Sequence, residues 1–146
     1  MNVEETIRRI GEVGIIPVIR AANPAEASRA VEAICAGGIS IVEITMTVPD
    51  AIPLLTEVAR SKSDYLIGAG TVLTGKQAEM CIAAGAKFLV SPGLSANVIR
   101  TAAKYNILAI PGAFTPSEVM VARELGANII KIHRRSGKLS YLSRRQ

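Results

Sequence analysis

Two ionisable side chains sit inside otherwise apolar, strand-like runs, and together they could carry covalent chemistry. Lys131 lies in Asn128-Ile129-Ile130-Lys131-Ile132, and Glu43 lies in Ile39-Ser40-Ile41-Val42-Glu43-Ile44-Thr45. Burial disfavours an ammonium, so a lysine on a buried strand can lose its proton and attack a ketone carbonyl to give a Schiff base. A carboxylate near it can then move protons on the bound substrate. Each residue alone has a plainer account. A strand-end lysine can lay its stem on apolar surface and carry its charge into water. A buried glutamate can be half of a structural ion pair. The catalytic reading gains weight only if one framework brings the two together.

That framework is visible as a repeat. Short apolar, β-rich runs at 15–20, 40–46, 65–70, 87–91, 107–110 and 128–132 recur every 20 to 25 residues, and each but the last is followed by a helical stretch. Residues Pro24 to Ala36 place Ala27, Ala30, Val31 and Ile34 on one face, behind an Asn23-Pro24 start and before a Gly37-Gly38 stop. A second helix opens at Pro49 and runs to about Arg60; the third and fifth begin at Thr74-Gly75 and Thr115-Pro116, the latter with Glu118 completing a capping box. Buried, non-alternating strands in βα repeats imply a parallel sheet with right-handed crossovers. An open doubly wound sheet and a (β/α)8 barrel both satisfy that pattern. Polar and glycine residues follow five strands in register: Arg20, Glu43 to Thr47, Gly68-Ala69-Gly70-Thr71, Ser91-Pro92-Gly93 and Pro111-Gly112-Ala113. Any one of these is an ordinary strand-to-helix turn. Five of them favour a barrel, whose active-site rim collects the loops after every strand.

Composition narrows the class further. A chain of 146 residues is one domain by length, and 49% hydrophobic content with only 3% aromatic implies a core of Ile, Val, Leu and Ala. No apolar run reaches the roughly 18 to 20 residues of a membrane span, and the early acids Glu4 and Glu5 speak against a signal peptide. Cys35 and Cys81 fall singly in helical stretches, which suits a reduced, cytoplasmic chain. The net charge of +5 is uneven: residues 1–130 hold 11 Lys and Arg against 12 Asp and Glu, whereas residues 131–146 hold six basic residues and no acid. Without interleaved aromatics or a recognition motif, that basic tail does not argue for nucleic-acid binding.

The motifs Ile16-Pro17-Val18-Ile19-Arg20, Val42-Glu43-Ile44-Thr45-Met46-Thr47-Val48-Pro49-Asp50-Ala51, Ile67-Gly68-Ala69-Gly70-Thr71-Val72, Ser91-Pro92-Gly93, Pro111-Gly112-Ala113 and Ile130-Lys131-Ile132 occur in this order. Together they resemble the 2-keto-3-deoxy-6-phosphogluconate aldolases, also described as 4-hydroxy-2-oxoglutarate aldolases. The likeness runs from about residue 5 to 132. It implies a class I aldolase on a (β/α)8 barrel, trimeric, with no metal and no cofactor, cleaving a keto acid to pyruvate and an aldehyde. Within it Lys131 falls on the Schiff-base lysine and Glu43 on the general acid/base. Thr71 falls on a residue that helps hold the pyruvate carboxylate, and the backbone around Pro92 lines the same pocket. Where some members carry an arginine after the Glu-x-Thr-x motif, this chain has Thr47-Val48-Pro49; members with Thr-Val-Pro there instead carry an arginine ending the first strand, so the resemblance assigns Arg20 to substrate anion binding.

The likeness stops after Lys131. The family continues with a hydrophobic residue, then Phe-Pro, a glycine-containing loop and two further strands; this chain reads Ile132-His133-Arg134-Arg135-Ser136-Gly137-Lys138 and stops at Gln146. The expectation is thus an incomplete (β/α)8 barrel over residues 1–132, with about six parallel strands and strands 7 and 8 lacking, followed by a divergent basic tail over 133–146. The abrupt change suggests a frameshift or a truncated gene. Exposed sheet edges should make the chain weakly stable and prone to associate, and phosphorylated substrate should be cleaved poorly. The alternative function is a catalytically impaired remnant or interaction module of the same fold.

Overall fold

Helix starts along this chain are written in side chains that accept from the backbone. Asn23, Thr74, Ser95 and Thr115 each cap a helix by accepting the N–H three residues on, at 2.9, 3.1, 3.5 and 3.2 Å. At Thr115 the Glu118 carboxylate accepts the Thr115 N–H in return at 2.9 Å, completing the anticipated capping box. The helices so delimited are α2 (Pro24–Ala36), α4 (Gly75–Ala83), α5 (Ala96–Lys104) and α6 (Pro116–Glu124), and α3 spans Ala51–Ser61. The last begins two residues later than its proline suggested, because Asp50 precedes it in a left-handed conformation and makes no side-chain cap.

Residues 2–132 are described by a computed structural model. Its strands are β1 (Val18–Ile19), β2 (Ile41–Thr45), β3 (Leu66–Gly70), β4 (Phe88–Ser91), β5 (Leu108–Ala113) and β6 (Lys131–Ile132). All pair in parallel, in the order β1-β2-β3-β4-β5-β6. Sequential order with helical crossovers is the winding of a (β/α)8 barrel, present here as six of its strands. The expected divergent tail, 133–146, lies outside the described residues, as does His133.

Three differences from the sequence expectation have physical causes. The first and sixth strands are shorter than expected, because β1 and β6 are the edges of the described sheet and each has one partner. The fifth is longer: it continues through Pro111 and Gly112, which looked like a loop. Pro111 has no N–H to give, but its pair with Ser91 is the last matched position of the β4–β5 ladder. An N-terminal helix, α1 (Val3–Val13), was not anticipated at all, although Asn2 caps it and Gly14 closes it at φ 74°.

That helix completes the interior. Val3, Ile7, Ile10 and Val13 pack against Ile41, Leu66, Phe88 and Leu108, the inward residues at the strand starts, and so plug the barrel's N-terminal end. A separate core lies between the outer sheet face and the helices, with Val31, Val42, Leu55, Val72, Cys81 and Val98 among its members. The N-terminal end is closed, and the strand C-termini face the open rim.

Candidate active site

Glu43 is the middle residue of β2, flanked by β1 and β3, and its place in the strand alternation turns it into the barrel. It is 3% exposed. Burial pushes its carboxyl above the ordinary glutamate range, while the positive charges of Lys131 and then Arg20 act in the opposite direction. The buried acid read from the sequence is therefore buried, and its charge partners are two of the expected site residues.

Lys131 opens β6, in register with Gly112 of β5. Glu43 and Lys131 line one cavity of about 250 Å³, whose other walls are Ile16, Val18, Val90, Ile110 and Ile129. Strands far apart in sequence thus bring a carboxyl and an amine to one mostly apolar space. Lys131 is half-buried rather than enclosed. Among the described residues its strand is an edge, with β5 on one side of it.

The remaining candidates sit at the same end of the strands without lining that cavity. Arg20 follows β1 and is exposed. Thr71 follows β3, half-buried, with φ 58°. A β-branched residue in the left-handed region is strained, and such strain concentrates at functional positions. Pro92 follows β4 and is exposed, with its carbonyl packed against the backbone of Gly112, where no Cβ could fit.

The end of β2 is tied to β1 by hydroxyls. Thr45 Oγ1 donates to the Ile19 carbonyl at 2.9 Å. With its one proton so used, Thr45 accepts from Thr47 Oγ1 at 2.7 Å. Thr47, the position where an arginine was the alternative, thereby helps hold the peptide from which Arg20 departs. Sequence reasoning did not find this pair, nor the apolar cavity walls. Both depend on which residues oppose each other across strands.

A partial parallel (β/α) barrel with a carboxyl and an amine sharing its interior defines the class. The chain belongs to the KDPG and KHG aldolase family, whose model matches residues 5–138. A probable 2-dehydro-3-deoxy-6-phosphogalactonate aldolase from Rhizobium meliloti is 37% identical over 118 residues, covering 80% of this chain and 56% of that relative. The KHG/KDPG aldolase of Escherichia coli is 32% identical over 117 residues, covering 80% and 55%. In three dimensions the chain is similar to the KDPG aldolase of Legionella pneumophila, solved with pyruvate captured at low pH as a covalent carbinolamine intermediate. The TM-score is 0.72 at 40% identity, over 77% of this chain and 55% of that one. This chain therefore spans a little over half the length of these relatives. Among the described residues no helix is long and apolar enough to cross a membrane.

Proposed function

We propose that this chain carries the keto-acid half of a class I aldolase site, with Lys131 as the Schiff-base amine and Glu43 as the proton-transfer group. The observation that supports it best is the shared cavity: Glu43 and Lys131 reach it from β2 and β6 and are its two ionisable members. The captured pyruvate of the Legionella relative supports the same substrate class.

The chemistry follows from the groups present. The Lys131 amine adds to the C2 ketone of a 4-hydroxy-2-keto acid, and loss of water leaves a protonated imine that withdraws electrons from C3. Glu43, directly or through a water, takes the proton from the C4 hydroxyl. The C3–C4 bonding electrons pass into the imine as the aldehyde leaves, giving the enamine of pyruvate. Protonation at C3 and hydrolysis then release pyruvate and the amine. Arg20 and Thr71, with the backbone near Pro92, hold the carboxylate so that C2 faces the amine; such positioning supplies much of the rate advantage.

Substrates of the 2-keto-3-deoxy-6-phosphogluconate or 4-hydroxy-2-oxoglutarate type, a homotrimeric assembly and a cytoplasmic setting are part of the same proposal, by family likeness.

The test is reductive trapping. Incubation with pyruvate and borohydride should add one reduced pyruvate to Lys131, located by peptide mass spectrometry, and Lys131→Ala should abolish the adduct. A wild-type chain that folds yet takes up no pyruvate would favour the other reading, a catalytically impaired member of the fold. The 40% exposed Val18 on one sheet edge and 67% exposed Ile132 on the other give that reading its support, as apolar surface available for association.

A further inference from the structure

We propose that Gly70 is a positioning residue for Glu43: the missing side chain at this interior place on β3 is what lets the Glu43 carboxyl lie across the strand inside the barrel. The proposal rests on the reading of Glu43 as the proton-transfer group for its functional consequence, though not for its geometry.

Strand β3 turns Leu66, Gly68 and Gly70 toward the barrel interior, and two of these three carry no side chain. Neither glycine has positive φ, so neither is needed for an unusual backbone or a turn. Both are needed for space. A Cβ at Gly68 would overlap the Phe88 ring, reaching 2.5 Å from Cε1. A Cβ at Gly70 would overlap Glu43 Oε1 and sit 2.6 Å from the carboxyl carbon and 2.7 Å from Cγ. Side chains from the two neighbouring strands therefore lean over β3 and fill it: Phe88 from β4 over Gly68, Glu43 from β2 over Gly70. The two places are about 7 Å apart along the strand.

The two glycines differ in what would yield. Phe88 is wholly buried in the barrel core, so a methyl at Gly68 would meet packed ring. The atoms beyond Gly70 are the free end of a flexible side chain, which can swing away while the backbone stays. Gly70→Ala should accordingly displace the carboxyl and leave the sheet intact. The charged groups bearing on that carboxyl are Lys131 of β6 and Arg20 after β1; β4 and β5 present Val90 and Ile110 to the shared cavity. Displacement removes the burial that raises the Glu43 pKa, so the titration should move down toward that of an ordinary glutamate.

Two measurements independent of turnover test this. Carbon-13 NMR of glutamate-labelled protein should show the Glu43 carboxyl titrating lower in Gly70→Ala than in wild type; an unchanged midpoint overturns the proposal. Thermal melts of wild type, Gly70→Ala, Glu43→Ala and the double variant form a cycle. Gly70→Ala should lower the melting temperature less in the Glu43→Ala background, where the colliding carboxyl is gone. An equal loss in both backgrounds refutes the contact, and if Gly70→Ala alone does not fold, refolding of the double variant supports it. In deuterium exchange at the pyruvate methyl, Gly70→Ala should keep the Lys131 adduct but slow exchange about a hundredfold, the low end for a positioned acid/base. The further change Glu43→Asp, which draws the carboxyl back from the new methyl, should restore part of it. Adduct loss in wild type would count against the proposed function, while the titration and the melts would still decide the role of Gly70.

Discussion

Glu43 links chemistry to stability because its folded environment favours the neutral acid. In the unfolded chain the carboxyl is in water and releases its proton near 4.5, as an ordinary glutamate does; in the fold burial raises that point. Between the two values the native state holds a proton that the unfolded state has lost. Stability is therefore greatest below the unfolded pKa, falls as pH rises through the folded one, and stays lower above it. Glu43→Gln, neutral at every pH, should melt higher than wild type at about pH 8 and show a flatter pH profile. Melting curves across that range would check it, and a glutamine variant less stable than wild type at pH 8 would contradict it. Arg20 acts on the substrate side. Arg20→Ala should raise the pyruvate concentration needed for half-maximal trapping by about tenfold, the value of one charged hydrogen bond, with the adduct still on Lys131. An unchanged half-saturation point would remove Arg20 from anion binding. At this scale the sequence was informative where a polar residue interrupts an apolar run, as at Glu43 and Lys131. It was silent on Gly70, because a glycine in Gly-Ala-Gly-Thr reads as a turn until the strand beside it shows which side chain fills the space.

Among the elements, α1 and β4 carry more than their lengths suggest. The α1 helix seals the N-terminal end of the barrel with Val3, Ile7 and Ile10, and Phe88 of β4 fills the interior layer over Gly68. Phe88→Ala should lower stability by about 3 to 5 kcal/mol, the range for emptying an aromatic core position, read from denaturant melts. A loss below about 1 kcal/mol would mean that the interior is not packed as described. The helix starts were legible because Asn23, Thr74 and Thr115 carry oxygens in the cap position. The α1 signal was equally present, in Asn2 and the Val3, Ile7, Ile10 spacing, but the element precedes the first strand and falls outside the βα repeat. Strand lengths were less legible. Pairing at β1 and β6 depends on how many partners a strand has, which local composition does not encode, and Pro111 ends a ladder although it resembles a loop.

The whole molecule is a parallel sheet with six described strands, closed at one end by a helix and edged by β1 and β6. Among the described residues each edge strand has one neighbour and carries an exposed apolar side chain, Val18 on one and Ile132 on the other. Such edges favour pairing with other chains. The 146-residue polypeptide should therefore elute in size-exclusion chromatography as associated species whose size grows with concentration; a sharp, concentration-independent monomer would contradict this. The central claim concerns two groups acting on one substrate, and methyl deuterium exchange of pyruvate in D2O, followed by proton NMR, tests it most directly. Wild type should exchange the methyl protons, Lys131→Ala should lose both exchange and trapped adduct, and Glu43→Gln should keep the adduct while losing exchange. Exchange at the wild-type rate in Glu43→Gln, or an adduct on a lysine other than Lys131, would contradict it.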